Sequence, residues 1–161
     1  MILASKREQI LKSLNDKEYR DQFVEEGINV GIAFQIRALR NRQELTQGAL
    51  ADLLGGRNKQ SLVSLWENPN YGKHTLATLK ELAKTFDVGL SIRFVPYSTL
   101  VDQAVNLSNN AIAPPSFKEE EQYKATMESL RKIADEQKIK VPDANNMVDI
   151  NNLIPSVLQS A

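Results

Sequence analysis

The stretch from Thr46 to Gly55-Gly56 constrains this chain most tightly. A threonine hydroxyl accepts from an N–H one turn further on, so Thr46 suits the start of a helix. Gly55-Gly56 ends that helix, because glycine takes up the left-handed conformation at a helix C-terminus. Leu50, Ala51 and Leu54 supply its apolar face, and the helix so bounded is about nine residues long. After the glycines, Asn58 or Lys59 begins a second helix whose inner positions are Val63 and Trp66.

The same punctuation organises the flanks. Ser5-Lys6-Arg7-Glu8 has capping-box spacing and predicts a helix over about 5–14, with Ile10, Leu11 and Leu14 on one side. Asn15 and Asp16 end it and cap the next. Tyr19 and Phe23 are four apart on a helix of about 16–26. Gly27 is read as a break. Ile32, Ile36 and Leu39 then give another helical stripe, with Arg37, Arg40 and Arg42 off it. Asn68-Pro69-Asn70-Tyr71-Gly72 is turn chemistry. Thr75 caps a helix carrying Leu76, Leu79, Leu82, Ala83 and Phe86. The period then changes to two: Leu90, Ile92 and Phe94 alternate with Ser91, Arg93 and Val95, a strand signature over 89–95 closed by Pro96. A lone strand leaves backbone groups unpaired, so a second copy of the chain is the expected partner. Residues 98–117 read as a linker with one or two turns of helix at Leu100, Val101 and Val105. Ser116-Phe117-Lys118-Glu119 is a second capping-box spacing and opens a helix whose stripe is Tyr123, Met127, Leu130 and Ala134. That stripe packs against the body of the protein, a second subunit or a different protein.

Composition excludes several functions. The 161 residues include no Cys and one His, His74. Disulfides, thiolate metal sites, Cys nucleophiles and any site needing two imidazoles are therefore excluded. No apolar run approaches the roughly 20 residues of a membrane helix, and the charge order of the first residues is wrong for a secretory signal. The expectation is a cytoplasmic protein with no membrane partner. The net charge of zero hides an asymmetry: residues 29–97 hold nine basic and five acidic side chains, while 98–161 hold six and nine. A basic centre with acidic ends suggests that only the centre meets a polyanion.

A short helix, a glycine turn and a second short helix form an arrangement in which the second helix enters the DNA major groove. The groove-facing positions need small polar side chains, with basic groups at the rim. Gln60, Ser61 and Ser64 lie on the outer side of the second helix, with Arg57, Asn58, Lys59 and Lys73 around it. Gln pairs with adenine N6 and N7 at once, while Ser is permissive. Other features have plainer readings. Trp66 is core and His74 a turn residue. Glu119-Glu120-Glu121 is a solvated helix start. Ser61 and Ser64 have no histidine within reach, so neither is a nucleophile. No catalytic, metal or cofactor site is expected.

Residues 32–86 resemble the Xre/Cro/C1-type helix-turn-helix family. The landmarks are Arg37, Arg40, Leu45-Thr46-Gln47, Leu50-Ala51, Gly55, Glu67 and Leu79…Leu82-Ala83. The stretch 16–100 is also similar to a subgroup of single-domain regulators, through Asp16–Arg20, the turn 68–73 and the Phe86–Pro96 end. The resemblance implies that Gln47 bonds a DNA phosphate and that Gln60, Ser61 and Ser64 face base edges. It implies that Glu67 pairs with Arg37 or Arg40. Two positions depart from the pattern. The turn Gly55–Lys59 is longer than in the phage repressors. Leu65 stands where a polar residue or Arg is common; it either touches a thymine methyl or marks weaker direct readout.

The expected fold is mainly α: a lambda-repressor-like helix-turn-helix bundle with one dimerising β-strand and a C-terminal helix. The expected division is an N-terminal helical arm at 1–27, the DNA-binding domain at 28–97, a linker at 98–117, a helix at 118–140 and a tail at 141–161. The expected function is a homodimeric, sequence-specific transcriptional regulator on double-stranded DNA, acting as a repressor on a palindromic operator. One alternative is an antitoxin that binds its toxin through 98–161 and autoregulates its operon. The other is a protein-interaction adaptor that has lost DNA binding.

Overall fold

The structure, a computed structural model, describes residues 2–106 and 108–137. Two compact units divide the chain, Met1–Phe117 and Lys118–Ala161. The first unit begins with α1 (Ile2–Ser13). Its start lies one turn ahead of the expected capping box, since Leu3 and Ala4 are good helix formers with no breaker beside them. Asp16 then caps α2 (Lys17–Arg42), its side chain accepting from the Tyr19 N–H at 3.0 Å. The Tyr19 and Phe23 rings stack at 6.1 Å, as their spacing requires.

The expected break at Gly27 does not occur. α2 runs for 26 residues through both Gly27 and Gly31, neither of which has a positive φ. A glycine inside a helix costs only about 1 kcal/mol against Ala, and tertiary packing at Ala33, Ile36 and Leu39 offsets it. One helix therefore crosses the boundary expected between residues 27 and 28, inside one compact unit.

α3 (Gln47–Leu53) is capped by Thr46, whose hydroxyl accepts from the Ala49 N–H at 3.0 Å. Gly55 and Gly56 stop it at φ 107° and 137°, a region closed to most side chains. One 3₁₀ turn, Arg57–Lys59, leads into α4 (Gln60–Trp66). α5 (Leu76–Phe86) is capped by Thr75, which accepts from the Thr78 N–H at 3.1 Å. Of its stripe, Leu82 and Phe86 are buried, whereas Leu76 in the first turn is exposed. α2, α3, α4 and α5 enclose the core: Ile36, Leu39, Leu50, Ala51, Leu54, Val63, Trp66, Leu82 and Phe86. Leu50 and Val63 are completely buried, so both short helices are held through their inner faces.

The expected strand at 89–95 is absent: residues 88–96 carry no regular structure, and no strand occurs among the described residues. A strand exists only when a neighbour supplies its ladder, and nothing among the described residues does so. Leu90, Ile92 and Phe94 are exposed.

Residues 98–117, read as a linker, are largely helical and packed. α6 (Tyr97–Val105) lies against α1, with Val101 fully buried and Leu14 nearly so. Arg7 and Asp102 form an ion pair at 2.5 Å between the two helices. α7 (Asn109–Ile112) lies against α2. The Gln35 side chain donates to the Ala111 carbonyl at 3.2 Å, and Arg42 donates to that of Ala113 at 2.9 Å. The Phe117 N–H donates to the Asp87 carbonyl at 2.8 Å.

The second unit is described through α8 (Phe117–Gln137), where the second capping-box spacing placed a helix. Tyr123, Met127 and Leu130 are half-buried along it. Residues 138–140 of the expected helix and the tail at 141–161 lie outside the described residues. No described helix is long and apolar enough to cross a membrane.

Candidate nucleic-acid interface

The site is built outward from the core. Val63 and Trp66 fix α4 by its inner face, which leaves Gln60, Ser61 and Ser64 exposed on the other side. Asn58, just before the helix, and Lys73, beyond it, are exposed too. The Arg57 side chain lies outside the described residues. The Gln60 amide leans toward the start of α3: a Cβ placed on Gly48 would sit 3.7 Å from its oxygen. Arg40, Thr46, Gln47, Gly48, Ala49, Asp52 and Gln60 together line one shallow groove. The structure thus brings Gln47 and Gln60, 13 positions apart in the chain, to one surface. Gly48 and Asp52 were not singled out from the sequence. The usable signal was a glycine at the second position of a capped helix, where it leaves room for a neighbour.

A buried carboxylate holds this surface together. Glu67 ends α4 and its side chain is 1% exposed. Its Oε1 accepts from Arg40 Nε at 2.5 Å, and its Oε2 accepts from Arg40 Nη2 and Gln47 Nε2, each at 3.0 Å. Arg37 stands 3.7 Å away, half exposed. Arg40 also donates to the Leu45 carbonyl at 2.8 Å. Of the two arginines expected as partners, Arg40 is the close one and Arg37 an outer charge. Burial alone would raise the Glu67 carboxyl. The hydrogen bonds from Arg40 and Gln47 and the charges of Arg40 and Arg37 outweigh it and hold the carboxyl below its ordinary value. Glu67 therefore stays ionised and fixes α2, α3 and α4 relative to one another.

Two polar residues around α4 have structural work that the sequence did not disclose. Lys59 Nζ donates to the Leu54 carbonyl at the end of α3 and pairs with Glu81 at 3.2 Å. It ties the turn between the two helices to α5. His74 Nε2–H donates to the Trp66 carbonyl at 3.0 Å, and its ring meets Tyr71 edge-on. This agrees with the reading of His74 as a turn residue and of Trp66 as core.

A seven-residue helix, a glycine turn and a second seven-residue helix with a polar outer edge constitute a helix-turn-helix. Residues 36–92, about a third of the chain, match a family model described as helix-turn-helix, so that stretch is similar to the Xre/Cro/C1-type family. The family is one of DNA-binding regulators. No curated protein and no solved structure matches the chain significantly.

Proposed function

We propose that this protein is a sequence-specific DNA-binding transcriptional regulator that acts as a homodimer and represses by occupying a palindromic operator. The observation that carries the reading is the exposed polar edge of α4, set beside the start of α3 in one groove. Inserted in the major groove, that edge offers Gln60 to adenine N6 and N7, with Ser61 and Ser64 as short, permissive neighbours. Gln47 reaches a phosphate with the amide hydrogen that Glu67 leaves unused. Arg57, Asn58 and Lys73 contact the backbone at the rim. Lys59 contributes positive charge from a position held by Leu54 and Glu81.

The dimer covers the segment 88–96. Leu90, Ile92 and Phe94 are 44%, 65% and 108% exposed, a run of large apolar side chains that a second copy would bury. Two recognition helices then sit roughly 34 Å apart, one turn of DNA.

Titration of wild type and two variants against the bound site and a scrambled duplex tests the reading. Gln60→Ala costs roughly 1–3 kcal/mol on the site and little on scrambled DNA. Lys73→Gln weakens both and lowers the salt slope by about one. Equal losses on both duplexes for Gln60→Ala show that Gln60 does not read a base. No effect of either variant favours a protein-interaction adaptor.

A further inference from the structure

The outer side of α4 is not wholly polar. Leu65 is 38% exposed and Leu62 40% exposed. At helical spacing, the buried Val63 and Trp66 define the inward direction of α4. Ser61, Ser64 and Leu65 lie opposite to them, and Leu62 lies at the flank. Leu65 follows Ser61 by four residues, so the two share one strip of surface. Ser61 and Ser64 are short, and they leave the longer Leu65 side chain partly open beside them. Leu65 adds nothing to the core, whose members from α4 are Val63 and Trp66.

An exposed leucine on a base-reading edge gains only if the groove offers it an apolar surface. The one apolar group that base pairs display in the major groove is the C5-methyl of thymine. We propose that Leu65 is a specificity-determining residue that selects a thymine in each half-site through its methyl group. This rests on the DNA-binding reading above. It adds a preference that the polar residues of α4 do not supply, since Ser61 and Ser64 accept any base and Gln60 selects adenine.

The test uses the full chain and duplexes that it enriches from a random pool. The enriched duplex is synthesised with thymine and with deoxyuridine at one thymine position at a time, which removes a single methyl group. For wild type, deoxyuridine at one position per half-site weakens binding about fourfold per half-site. Leu65→Ala binds both duplexes equally, and Leu65→Met, which keeps apolar reach, retains part of the penalty. A wild type indifferent to every substitution overturns the proposal, as does a penalty that persists unchanged in Leu65→Ala. In both cases the enriched duplex shows that the DNA-binding reading survives. If no duplex is enriched, that reading fails and the proposal falls with it.

Discussion

Replacing Glu67 by Gln destabilises the Met1–Phe117 unit by about 3 kcal/mol. The substitution keeps the shape and removes the charge, so the loss is electrostatic and not a cavity. Both carboxylate oxygens of Glu67 accept, and Oε2 accepts twice. A glutamine presents an NH₂ at one of these places, where it faces a donor from Arg40 or Gln47. Arg40, 13% exposed, keeps its charge with no anion beside it. The pair also makes stability depend on pH. The folded-state pKa of Glu67 lies below the ordinary 4.5. The stabilisation is therefore complete above that value and is lost as the pH falls through the folded pKa. Urea melts at about pH 7 and about pH 4 check this. Wild type loses stability on acidification, and Glu67→Gln loses less. Equal stability of the two at neutral pH would show that the network is dispensable.

A chain ending at Tyr97 loses about 3–6 kcal/mol of stability, the burial of one Val and one Leu. Val101 is completely buried and Leu14 7% exposed, in the region where α6 meets α1. Removing α6 and α7 uncovers that contact and deletes the bonds that Gln35 and Arg42 donate to the segment and the one that the Asp87 carbonyl accepts from it. A chain ending at Phe117 keeps them all. Circular dichroism melts of both truncated chains beside the full one measure the difference. The Tyr97 chain melts first, and the Phe117 chain keeps most of the stability of its unit. The sequence alone argued for a cut at Tyr97, because residues 98–161 are acidic and read as remote from DNA. The first compact unit ends twenty residues further on, at Phe117.

What the sequence disclosed was local. Asp16, Thr46 and Thr75 cap helices through bonds to N–H groups three residues away, and such bonds are written in adjacent letters. Gly55 and Gly56 were legible because their conformation is almost glycine's alone. The inward faces of α3 and α4 followed from spacing. What it concealed depends on distant partners. Gly27 looked like a break, but packing about two to three turns further on, at Ala33, Ile36 and Leu39, carries α2 through it. Leu90, Ile92 and Phe94 alternate as a strand does, yet the described residues hold no second strand to pair with them. Val101 sits in a short, weak stripe whose cover, α1, is nearly a hundred residues earlier. The site divides in the same way. Gln60, Ser61 and Ser64 stand outward as their spacing indicated. The holding of Lys59 by Leu54 and Glu81, and of Gln47 by Glu67, required the fold.

Footprinting of the full chain on DNA upstream of its own gene tests whether α4 is the element that reads DNA. The predicted result is a protected stretch of two inverted half-sites with centres about 34 Å apart. Protection is lost in Gln60→Ala at concentrations where wild type protects fully. Absence of any protected sequence at low salt, where phosphate contacts are strongest, would show that α4 does not read DNA.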